Sequence, residues 1–205
     1  MVVVRERVAS APDKRPGVPH RSRAPHSPAH PVHVTLRARS AIRCLRAPRV
    51  FPHVRAAIRC ASRNGFRILH FSVQDDHLHL IAEADDGSKL GRGLRGLAIR
   101  VARAVNRGLG RHGAVWGDRY HARPLTTPWA VRHGLVYVLM NRHKHHPGEA
   151  PIDPCSSAPW FDGWQQPVTP VHGCAPVARA RTWLAAVGWR RRGLLALGER
   201  PRGSA

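Results

Sequence analysis

His33-Val34-Thr35-Leu36-Arg37-Ala38 alternates apolar and polar residues with the two-residue period of a strand. From Phe51 to about Asn64 the period lengthens. Phe51, Val54, Ile58 and Ala61 recur at helical spacing, while Arg55, Arg59 and Arg63 form a separate row four residues apart. Asn64-Gly65 stops that helix. Phe66 to Val73 and His77 to Ala84 read as two strands, joined as a hairpin by Gln74-Asp75-Asp76. After the turn at Asp85-Asp86-Gly87, Ser88 is the expected cap of a helix reaching about Leu109. On that helix Leu90, Leu94, Leu97, Val101 and Val105 gather on one side, and Arg92, Arg95, Arg100, Arg103 and Arg107 on the other. Gly108 to Gly113 reads as a loop and Ala114 to Leu125 as extended chain. Thr127 then caps, and Pro128 opens, a helix expected to run to about His145. Beyond Glu149 the pattern is irregular, with Trp160, Phe161 and Trp164 as anchors and a last helix from about Val177 to Leu197.

The order strand, helix, strand, strand, helix, strand, followed by one more helix, predicts an α+β fold. Its first six elements match a ferredoxin-like layout, an antiparallel sheet with helices on one face. Residues 1–31 carry six prolines (Pro12, Pro16, Pro19, Pro25, Pro28, Pro31) among Arg and His, and read as a disordered basic arm. Residues 32–147 form the expected catalytic domain and 148–205 a C-terminal extension.

Charge narrows the partners. In 205 residues, Lys plus Arg number 34 against 12 for Asp plus Glu, a net charge of +22. Such a surface suits a polyanion, and nucleic acid is the commonest. The five-Arg stripe from Arg92 to Arg107 strengthens this, because like charges one turn apart repel unless phosphates lie against them. No long apolar span or lipidation motif points to a membrane. Val2-Val3-Val4 before Arg5 is too short for a signal-peptide core. The four cysteines, at 44, 60, 155 and 174, form no close pair, so neither a disulfide framework nor a Cys-rich zinc site is expected. A reducing cytoplasm fits.

The candidate chemistry begins at His77-Leu78-His79. In a strand both imidazoles share one face, which makes half of a divalent metal site. A histidine-triad hydrolase would need a third alternating His, but Ile stands at 81. There are two tyrosines, Tyr120 and Tyr137. Tyr137 lies in the last core helix with Asn141 four residues on, a spacing that places both on one face. A phenol near a divalent ion can attack a phosphodiester and form a phosphotyrosine link. Tyr120 has Pro124 at the same interval and suits packing or stacking better.

Together these features resemble the single-tyrosine HUH transposases, particularly the bacterial REP-associated tyrosine transposases. The resemblance rests on His77-Leu78-His79, on Tyr137-Val138-Leu139-Met140-Asn141, on Gly117-Asp118-Arg119-Tyr120-His121-Ala122-Arg123-Pro124-Leu125, and on the opening strand His33-Val34-Thr35-Leu36-Arg37. It covers about residues 33–146. Asp76 stands where the family usually has Asn, which puts a carboxylate beside the two His.

The resemblance implies an endonuclease and strand transferase that cuts single-stranded DNA beside hairpins. It would leave a 5′-phosphotyrosine and a free 3′-OH, and rejoin strands. Tyr137 would be the nucleophile, and His77, His79 and Asn141 would hold Mg²⁺ or Mn²⁺. Arg92, Arg95, Arg100, Arg103, Arg107, Arg119 and Arg123 are the expected DNA contacts. It further implies a bacterial, nucleoid-associated protein of the cytoplasm, monomeric or homodimeric. The alternative from a different class is a domesticated, non-catalytic DNA-binding protein on the same fold, although binding alone needs neither the His pair nor the Tyr–Asn pair.

Overall fold

The computed structural model describes residues 25–146, 148, 150, 152–169 and 173–200. Most of the basic arm, residues 1–24, lies outside these. The core elements are β1 (Val32–Arg37), α1 (Phe51–Arg59), β2 (Phe66–Val73), β3 (His77–Ala84), α2 (Gly87–Leu109), β4 (His121–Pro124), α3 (Pro128–Leu139) and α4 (Asn141–His145). The four strands form one sheet in the order β2-β3-β1-β4, with every pairing antiparallel. This is the ferredoxin-like order expected from the sequence.

Strand alternation sorts the two faces. Val32, Val34 and Leu36 of β1 and Leu78, Leu80 and Ala82 of β3 enter one core with α1 and α2, through residues such as Val54, Ile58, Leu94, Leu97 and Val101. The opposite face is not left to solvent. Ile81 and Leu69 enter a second core with Val131, Leu135, Val138 and Leu139 of α3. The seventh element therefore covers the face that a bare ferredoxin-like sheet leaves open. Apolar residues surround α3 on most sides because it is sandwiched: Phe161, Trp164, Leu184, Trp189 and Leu195 of the C-terminal segment close over its outer side.

Several boundaries differ from those read off the sequence. Helix α1 ends at Arg59, not near Asn64, because Asn64 (φ 51°) and Gly65 (φ 79°) form a tight two-residue turn that draws Arg63 into a bridge with Phe66. Helix α2 is capped by Asp86 rather than Ser88; its carboxylate accepts from the Lys89 backbone N–H at 2.7 Å, two residues earlier than expected. It continues through Gly108 and ends at Gly110, whose φ of 60° suits glycine. Within 114–125 only His121–Pro124 is strand, with an isolated bridge from Trp116 to Ala38. Thr127 and Pro128 start α3 as expected. The helix does not run unbroken to His145: Met140 (φ −107°, ψ 9°) interrupts it, and α4 begins at Asn141. The expected terminal helix from Val177 to Leu197 is two short pieces, α5 (Trp183–Ala186) and a 3₁₀ turn at Gly188–Arg192.

The C-terminal segment is tied down by polar as well as apolar contacts. Arg46 donates to both carboxylate oxygens of buried Asp153, at 2.9 and 2.8 Å. Glu83, fully buried on β3, accepts from the backbone N–H groups of Arg181 and Thr182 and from the Thr182 hydroxyl. The same segment covers the outer edge of β2: Ala178 N–H donates to Ile68, Val73 N–H to Cys155, Ser157 N–H to Phe71, and Phe71 N–H to the Ser157 hydroxyl. Among the described residues no helix is long and apolar enough to cross a membrane.

Candidate active site

The register of β1 sets the site. It opposes Thr35 to His79 and Arg37 to His77 on β3, and Thr35 to His121 and His33 to Arg123 on β4. Directly opposed residues share a sheet face. His33, Thr35, His77, His79 and His121 therefore lie on the face beneath α3, and Tyr137 comes down onto it. The His77 and His79 ring centroids are 4.6 Å apart, and His79 lies 5.0 Å from the Tyr137 ring. The His33 ring is 5.3 Å from both His79 and Tyr137. The candidate residues read from distant parts of the sequence are thus brought together, His79 touching both His77 and Tyr137.

Hydrogen bonds orient each imidazole. His77 Nδ1 lies 2.6 Å from Asp76 Oδ1. Partial burial pushes the Asp76 carboxyl up, but the hydrogen bond and charge of His77, aided by Arg37, outweigh it and hold the group below the usual carboxylate range. With Nδ1–H donating to this carboxylate, Nε2 is the His77 nitrogen left for a ligand. A carboxylate behind a metal-binding His is a recurring arrangement that fixes the tautomer. For His79, Nδ1 lies 3.1 Å from Thr35 Oγ1 and 3.3 Å from His33 Nε2. Burial, with a smaller contribution from Arg123, pushes His33 down to about 4, so its imidazole is neutral and can accept from His79. His79, only 3% exposed, is thereby set to offer Nε2 as well.

Asn141 is 1% exposed, and its Oδ1 is buried with no hydrogen-bond partner among the described residues. An orphaned amide oxygen is unusual in a folded interior and is a donor that hard divalent ions accept. The break at Met140 means that a continuous helix does not align it with Tyr137. Instead α4 is tethered by Arg142, which donates to Asp75 at 3.0 Å in the turn preceding His77. No group of three or more His, Cys, Asp or Glu side chains able to hold a metal occurs among the described residues. His77, His79 and Asn141 carry two imidazoles and one amide oxygen, donor types that divalent ions accept.

The structure is similar to that of the REP-associated tyrosine transposase bound to a REP hairpin, with a TM-score of 0.55 at 19% identity over 68% of this chain and 82% of that one. The fold is that of a REP-associated tyrosine transposase. The crystal structure of a candidate transposase from Deinococcus radiodurans also matches, with a TM-score of 0.39 at 18% identity over 45% of this chain and 76% of that one. No protein-family model and no curated protein matches the chain.

In this transposase fold the arginines divide between two surfaces. Arg123 is exposed on β4, opposite His33 on the His-bearing face, and Arg119 is exposed just before that strand. Arg92, Arg95, Arg103 and Arg107 are exposed and Arg100 half-buried, all on α2, in the layer covering the other face of the sheet. The α2 stripe therefore does not line the His–Tyr site. His33, Thr35 and His121 stand in the motifs named above but not among the candidate catalytic, metal or DNA-binding residues. The alternation of β1 already put His33 and Thr35 on one face, and the ferredoxin-like strand order already put β1 beside β3.

Proposed function

We propose that the protein is a DNA strand transferase that nicks and rejoins single-stranded DNA through a covalent 5′-phosphotyrosine at Tyr137. The contact of the Tyr137 ring with His79, itself packed against His77, carries this reading. The transposase fold supports it, and the solved relative's hairpin ligand makes hairpin-flanked DNA the substrate to test first. The Tyr137 oxygen attacks the scissile phosphorus: one P–O bond forms to the phenol oxygen and one breaks to the 3′ oxygen. The phenol loses its proton and the departing oxygen gains one. The bond energy is kept in the tyrosyl ester, so a 3′-OH can reverse the exchange without an external energy source.

His77, His79 and Asn141 would hold Mg²⁺ or Mn²⁺, which when bound polarises the scissile phosphate. Asp76 and the Thr35–His33 pair orient the two imidazoles. Arg123 and Arg119, beside the site, hold the strand through its phosphates. The test is denaturing electrophoresis of the protein with single-stranded DNA from the flanks of its own gene. Wild type is expected to form a covalent band that requires Mg²⁺ or Mn²⁺ and is absent from Tyr137→Phe. Equal DNA binding by both proteins, with no covalent band from either, would replace this reading with a non-catalytic DNA-binding protein.

A further inference from the structure

The turn between β2 and β3 presents two carboxylates in succession, and each is bonded at a different candidate metal donor. Asp76 bonds His77 directly, Oδ1 to Nδ1 at 2.6 Å. Asp75 Oδ2 accepts from Arg142 Nη1 at 3.0 Å, and Arg142 is the residue after Asn141 in α4. The turn itself is held by backbone hydrogen bonds. Leu45 N–H donates to the Asp75 carbonyl at 3.1 Å, Ala38 N–H to the Asp76 carbonyl at 2.7 Å, and Gln74 N–H to the His77 carbonyl at 2.8 Å. It is therefore a fixed point from which other groups can be placed.

Asn141 needs such a point. The helix that bears Tyr137 ends at Leu139, and Met140 breaks the helical geometry before α4 begins. α4 has five residues, too few to hold a helical conformation without outside contacts. The Asn141 side chain is buried, yet its Oδ1 has no hydrogen-bond partner among the described residues, so no bond to that oxygen fixes the amide. The bond from Arg142 to Asp75 instead ties the neighbouring residue to the turn that leads into His77. Charge and placement make different demands on this pair. Through charge alone, Arg142 would repel a cation held beside it and Asp75 would attract one, so removing the two would have opposite effects. Through placement, removing either partner releases α4 and loses the same thing.

We propose that Asp75 and Arg142 are positioning residues, whose ion pair sets the Asn141 amide oxygen toward the two imidazoles. One turn then serves two donors, Asp76 orienting His77 and Asp75 placing Asn141 through Arg142. The inference rests on the reading of His77, His79 and Asn141 as the metal donors, and its test does not depend on cleavage. The Mn²⁺ affinity of the full chain, without DNA, is measured from the resonance signal of the free ion. Arg142→Gln and Asp75→Asn are each expected to weaken it about tenfold, the lower end of the effect of residues that orient a ligand. The double variant Asp75→Arg, Arg142→Asp, which exchanges the charges, is expected to restore most of the loss. Asp75 is 54% exposed, and ion pairs so open contribute little to global stability. The melting temperature of each variant is therefore expected to stay within about 3 °C of wild type. Tighter binding by Arg142→Gln with weaker binding by Asp75→Asn would mean that the pair acts through charge alone and would overturn the proposal. Asn141→Ala separates the proposal from the reading beneath it. If Asn141→Ala weakens Mn²⁺ binding and Arg142→Gln leaves it unchanged, the donor set stands and the positioning role is overturned. If Asn141→Ala leaves binding unchanged, the donor set itself is wrong and the positioning role falls with it.

Discussion

Asp76 shows how one side chain sets the chemistry of its neighbour. Its carboxylate accepts from His77 Nδ1 and leaves Nε2 as the nitrogen open to a ligand. Asp76→Ala is expected to lower Mn²⁺ affinity by roughly 10–100-fold, read by titration calorimetry or by the Mn²⁺ resonance signal. An unchanged affinity would show that His77 needs no orienting partner. His70 gives a second residue-scale outcome, on stability. It lies against Phe161 and Ser157, and burial, opposed weakly by Asp162, pushes it from 6.5 down to about 4. A histidine held neutral in the fold loses stability as pH falls, because the unfolded chain takes up a proton first. The loss begins below about pH 6.5, is complete near pH 4, and amounts to about 3 kcal/mol. Urea unfolding at pH 7.5 and 4.5 measures it, and His70→Gln is expected to flatten that share of the slope.

At the scale of elements, the chain reads well where local chemistry decides and poorly where a distant partner does. The bounds of β2 and β3 follow from apolar runs closed by Asn64-Gly65 and Asp75-Asp76, and the start of α3 follows from Thr127-Pro128. The break at Met140 has no local signal, since it accompanies a buried Asn141 and an Arg142 that reaches back to Asp75. The lock between β3 and the C-terminal segment is equally hidden, because Glu83 looks in sequence like a polar position on a half-exposed strand. Glu83→Ala leaves two backbone N–H groups and Arg67 without their buried acceptor. It is expected to cost roughly 3–5 kcal/mol in urea unfolding and to speed tryptic cleavage at Arg179 and Arg181. If both are unchanged, the segment is held by its apolar contacts alone.

For the whole molecule, the net charge of +22 pointed to a polyanion partner, but it did not show that cationic side chains lie on both sides of the sheet. That division follows from α2 and α3 packing on opposite faces. The division of the chain at residue 147 is also qualified by packing, since α3 shares its core with Phe161, Leu184, Trp189 and Leu195. Removing residues 148–205 would bare the outer side of a largely apolar helix. The truncated chain is expected to aggregate or lose its cooperative thermal transition, measured by sedimentation and circular dichroism. A soluble, sharply melting product would establish residues 32–147 as an independent domain.

The covered edge of β2 bears on how two copies could meet. Sheets commonly join subunits by pairing free edge strands, and the same exposed groups invite unwanted aggregation. Here the backbone groups of Ile68, Phe71 and Val73 that face outward are already bonded to residues 155–157 and 178 and to Ser62. The opposite edge, β4, is four residues long and includes Pro124, which has no N–H to donate. A homodimer of this protein would therefore have to associate through helices or side chains, since neither margin of the sheet is suited to continuing into a neighbour.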